Sequence, residues 1–114
     1  MTFLYILKVI ASIGTIATGI ISLIKPLSVE GFTGLHPNGA RGITEIRAVL
    51  GGFFIALGIA PLLLSSPATF IMLGIAYLGV GLVRLISMIL DHSVMRSNLI
   101  SFGVEIVFGV ILVL

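Results

Sequence analysis

The sequence predicts an all-α integral membrane four-helix bundle, and three observations carry that prediction. Of 114 residues, 59% are hydrophobic and 9% charged, a balance far outside that of soluble domains. Mean hydropathy is +1.35, because apolar residues gather in runs long enough to cross a bilayer. Between these runs lie only short connections rich in glycine and proline, which leave room for a single domain over residues 1–114 and no separate soluble one.

The first run, 3–24, is about 22 residues, enough for one crossing at ~1.5 Å per residue. Lys8 is its only charge, and no small-x-small cleavage site follows it, so it reads as a retained span ending at Lys25-Pro26. Ala11, Thr15, Thr18, Gly19 and Ser22 recur at three- and four-residue spacing, a small and weakly polar face suited to close packing. Residues 25–42 form the longest connection, punctuated by Pro26, Gly31, Gly34, Pro37, Asn38 and Gly39. The second span, 43–64, ends near Pro61 and Ser65-Ser66-Pro67. Ala48, Gly52, Ala56 and Ala60 fall at every fourth position there, and predict the tightest helix-packing seam. A third span covers 68–90 and a shorter fourth covers 99–114.

Charges inside such spans are costly and call for partners. With four crossings, Lys25, Arg41 and Arg96 lie on one face, against Lys8 alone near the other. The positive-inside rule then puts the 25–42 connection in the cytoplasm and both termini outside. This topology sets Glu45, Arg47, Arg84 and Glu105 within about 10 Å of one boundary. Asp91, two turns beyond Arg84, falls on the same face at the rim. Glu45, Arg47, Arg84, Asp91 and Glu105 are therefore the candidate cluster, and two readings of it stay open. It is a net-neutral structural network fixing helix register, or a pocket that binds a ligand or carries protons.

Other chemistry is narrowed by what the chain lacks. With no cysteine there is no disulfide or thiolate metal site. His36 and His92 have no partner at metal-ligand spacing, so neither a metal nor a cofactor is expected. No phosphate loop, nucleophile elbow or dinucleotide fingerprint is present, and no basic run suggests nucleic acid.

Arg41-Gly-x-x-Glu-Ile-Arg-Ala-x-x-Gly-Gly with Ala56-Leu-Gly58, then Gly81-Leu-Val-Arg-Leu-Ile-Ser87 with Asp91, then Glu105 in the last span, form a pattern that covers most of the chain. It resembles an uncharacterised bacterial family of four-span membrane proteins, domain of unknown function 4345, which is loosely similar to DoxX-like membrane proteins. The resemblance implies a four-helix inner-membrane protein and assigns no residue a role. Length and span count are also similar to those of small multidrug transporters. Those place their essential glutamate in the first span, where this chain has no acid.

The leading functional expectation is a non-catalytic membrane protein. It binds a small amphipathic or lipidic ligand at the charged pocket, or serves as a subunit of a membrane complex or homo-oligomer. The alternatives are a proton-coupled transporter acting as an oligomer, and a membrane-embedded isomerase or redox accessory protein. Beyond the lipid bilayer and these partners none is expected.

Overall fold

A computed structural model describes residues 2–114, all helices and connections. Helix α1 (Phe3–Ile24) opens on Thr2, whose hydroxyl accepts a 3.1 Å bond from the Tyr5 amide. That side chain satisfies one of the amides a helix start leaves orphaned. After a 3₁₀ turn at Pro26–Val29 comes the one-turn α2 (Glu30–Thr33). It is closed by Gly34 at φ 74°, a left-handed conformation that glycine adopts without a Cβ penalty. Helix α3 (Ala40–Leu64) is π-helical over Ile46–Phe53. Helix α4 (Pro67–Leu90) is capped by the Ser66 hydroxyl, and α5 (Arg96–Val113) completes the chain.

All four long helices are long and apolar enough to cross a membrane, and together they form an all-α bundle of a membrane type. Two of them start earlier than hydropathy predicts: α3 at Ala40 rather than 43, and α5 at Arg96 rather than 99. The difference is physical, because hydropathy marks the part of a helix that lipid covers. The backbone stays helical into the polar interface until a residue such as Gly39, at φ 84°, breaks it.

Consecutive long helices are neighbours, and α1 also touches α5, so the bundle closes in chain order. Packing is closest within two hairpins, α1 with α3 and α4 with α5. Each hairpin is held by glycines at the contact. A Cβ on Gly19 of α1 would stand 2.7 Å from the Gly51 carbonyl oxygen, and one on Gly58 of α3 would stand 2.6 Å from that of Ser12. In the second hairpin, a Cβ on Gly74 would meet the Gly109 carbonyl oxygen at 2.9 Å. Such approach is how helices gain dispersion energy where lipid supplies no hydrophobic drive.

The packing seam expected at Ala48, Gly52, Ala56 and Ala60 does not form. Ala48, Gly52 and Ala56 are exposed and Ala60 is half-buried. The buried positions of α3 are Ile46, Gly51, Gly58 and Pro61. The five-residue step from Ile46 to Gly51 matches the i→i+5 bonding of a π segment, which turns the face of the helix relative to a regular α-helix. A four-residue ladder read on α geometry therefore lands on the wrong side. The small face of α1 is inward, with Ala11, Ser12, Thr15, Gly19 and Ser22 buried.

The bundle is not uniformly packed along its length. Ala11, Phe70, Leu73 and Leu112 make a compact core toward the end that holds the chain termini, with Tyr5 edge-on to Phe70 at 5.9 Å. Toward the other end the two hairpins part, and the 26–35 segment folds over the opening.

Candidate functional site

Arg84 of α4 and Glu105 of α5 meet where the hairpins part. Arg84 Nε donates to Glu105 Oε1 and a terminal nitrogen donates to Oε2, both at 2.7 Å. This two-pronged geometry is the strong form of the arginine–carboxylate pair. The other terminal nitrogen donates to Asn98 Oδ1 at 2.9 Å, and Asn98 Nδ2 donates in turn to the Ser93 carbonyl at 2.9 Å. Glu105 is only 8% exposed. The opposite charge and two short bonds are what make its burial tolerable.

Around the pair lies a cavity of about 630 Å³. Thr18 and Ser22 of α1, Leu50 and Phe54 of α3, Tyr77 and Arg84 of α4, and Ser101, Glu105 and Phe108 of α5 line it. Phe32, Thr33 and Leu35 line it from the folded-over connection. At its inner limit Tyr77 stands edge-on to Phe108, with ring centroids 5.5 Å apart. The Tyr77 hydroxyl is 2.5 Å from Thr15 Oγ1, linking the two hairpins across the bundle.

Hydrogen-bond accounting gives the direction of that link. Thr15 donates its single hydroxyl proton to the Ala11 carbonyl at 2.9 Å, so Tyr77 is the donor to Thr15. Thr18 and Ser22 spend their protons likewise, on the Gly14 and Thr18 carbonyls, and Thr33 spends its own on Val29.

The other members of the expected cluster stand elsewhere. Glu45 pairs with Arg41 one turn away, and both are exposed. Arg47 Nε donates to the Leu23 carbonyl at 3.2 Å, satisfying an orphan acceptor in the last turn of α1. Neither lines the cavity, so the expectation of one pocket holding the whole cluster is corrected to an Arg84–Glu105 pair. Axial rise places all four charges at similar depth, but the azimuth of Glu45 and Arg47 depends on the π segment and on which helix lies beside them. Asp91 lines a second crevice of about 630 Å³ on the outer side of Arg84, with Ser87, Ser93 and Asn98. It makes no ion pair among the described residues.

Sequence reasoning did not assign Tyr77, Asn98 and Ser101 to the site, although a signal was present. Tyr77 and Arg84 are seven residues apart, as are Asn98 and Glu105, so each pair falls on one face two turns apart. Ser101 and Phe108 continue the α5 stripe at three- and four-residue spacing.

Four apolar helices round a cavity with a paired arginine and glutamate define the class, a small polytopic helical membrane protein. The chain belongs to the family described as a domain of unknown function, DUF4345, whose profile matches residues 3–114. No curated protein and no solved structure matches the chain.

Proposed function

We propose that this protein binds a small amphipathic or lipidic ligand between its two helical hairpins, with the ligand's polar group at the Arg84–Glu105 pair. The observation that carries this reading is the cavity of about 630 Å³ with that pair in its wall. Its volume is within the roughly 300–1,000 Å³ of small-molecule sites, and its mixed apolar and polar lining is of the kind such sites use. Protein purified from membranes in mild detergent is expected to carry a bound small molecule, detected by native mass spectrometry. Ser101→Phe, which sets an aromatic ring into the cavity, is expected to remove it while leaving thermal unfolding cooperative. Retention of the same molecule by a folded Ser101→Phe protein would place the binding elsewhere.

The proposal includes a setting, the bacterial inner membrane with the 25–42 connection cytoplasmic and both termini outside. The sidedness is supported by the excess of Lys25, Arg41 and Arg96 on the connection side of the bundle. The chain has no cysteine, so single introduced ones report sidedness directly. In right-side-out vesicles Ser65→Cys is expected to react with a membrane-impermeant maleimide, and Leu35→Cys only after lysis. The reverse pattern would invert the topology.

A further inference from the structure

Resting on the proposed ligand cavity, we infer that its occupant is an uncharged amphiphile whose head is a hydroxyl, able to donate a hydrogen bond, and not a carboxylate or phosphate. Two independent observations point there. The first is charge. Among the described residues Arg84 is the one cation lining the cavity, and Glu105 holds it through two 2.7 Å bonds. Their charges sum to zero, so a ligand of either sign would bring an unbalanced charge into a space walled largely by apolar side chains.

The second observation is proton ownership. Thr18 and Thr33, both partly exposed, each give their hydroxyl proton to a carbonyl of their own segment, and Tyr77 gives its own to Thr15. A hydroxyl has one proton and two lone pairs. What these three side chains retain is therefore acceptor capacity, and Glu105 adds the remaining lone pairs of its carboxylate. Ser101, for which no hydrogen bond is formed among the described residues, is the hydroxyl free to play either part. On the donor side Arg84 uses three of its five N–H groups, on Glu105 and Asn98. A ligand hydroxyl matches this inventory, because its proton meets an acceptor while its oxygen can take a spare Arg84 N–H. An ether of the same shape can do only the second. The apolar body lies among Phe32, Phe54 and Phe108.

The test titrates three probes of matched length, 1-octanol, its isomer heptyl methyl ether, and octanoate, into the protein in nanodiscs, with uptake by empty nanodiscs subtracted. One net hydrogen bond is worth about a factor of five in affinity, so octanol is expected to bind roughly fivefold tighter than the ether. Octanoate is expected to be the weakest of the three. In Glu105→Gln the Arg84 charge loses its counter-ion, and the order is expected to invert, with octanoate tightest. Equal binding of alcohol and ether, or octanoate tightest in the unaltered protein, would overturn the inference and leave the cavity as a ligand site of other chemistry. Absence of saturable binding by all three, or binding unchanged by Ser101→Phe, would overturn the cavity reading itself. The octanol and ether comparison uses the unaltered chain, so the outcome does not depend on Glu105→Gln folding.

Discussion

Arg84→Leu and Glu105→Leu are each expected to lower the thermal stability of the purified protein, by an amount corresponding to roughly 3–5 kcal/mol, and the double variant to be more stable than either. Glu105 is 8% exposed and both its oxygens accept from Arg84 at 2.7 Å. Removing the arginine strands a carboxylate with no other cation in the cavity wall, and removes the donor to Asn98 as well. Removing the glutamate leaves a guanidinium whose Nε has no acceptor. Removing both exchanges two charges for apolar groups of similar volume, which in buried settings is neutral or favourable. The measurement is a double-mutant cycle by thermal unfolding in one detergent, and simple additivity would show that the pair is not coupled. The cycle also separates the two readings of the pair. A double variant that folds and keeps its bound molecule makes the charges structural, and one that folds and loses it makes them part of the site.

The second large effect is expected at the α1–α3 contact. Gly19→Ala and Gly58→Ala should each destabilise by about 1–3 kcal/mol, the usual cost of overpacking. Their Cβ atoms would meet backbone, the Gly51 oxygen at 2.7 Å and the Ser12 oxygen at 2.6 Å, so no rotamer change relieves the clash. The helices must separate, and every contact along the seam weakens with distance. Gly52→Ala is the matched control. Beyond the adjoining turns of its own helix, the nearest atom to its Cβ is the Arg47 oxygen at 3.9 Å, and alanine is the better helix former, so stability should hold or rise slightly. Chemical or thermal unfolding of the three variants in parallel checks this. A loss at Gly52 as large as at Gly58 would restore the four-residue ladder as the packing face.

The opposite fates of Gly51 and Gly52 show where one-dimensional reasoning stops. Both are in an apolar helix and both look suited to close packing, yet Gly51 stands against Leu23 and Gly52 faces outward. Regular α geometry favours the 48, 52, 56, 60 ladder, and the π-helical segment at Ile46–Phe53 shifts the phase. No local property of the sequence announces that shift, because i→i+5 bonding is paid for by contacts with another helix.

The same division runs through the charges. Composition and hydropathy by themselves determined the four apolar helices and their order, and a fixed rise per residue gave each ionisable residue an expected depth. Depth made Glu45, Arg47, Arg84 and Glu105 look equivalent. Only the tertiary structure decided that Arg84 takes Glu105 and Asn98, that Glu45 turns to Arg41 at the surface, and that Arg47 closes the end of α1. Partner choice depends on the angular position of each side chain and on which helices are neighbours. Both are set by glycine contacts between segments distant in the chain, whereas the seven-residue spacing of Tyr77 with Arg84 and of Asn98 with Glu105 marks only a shared face within one helix.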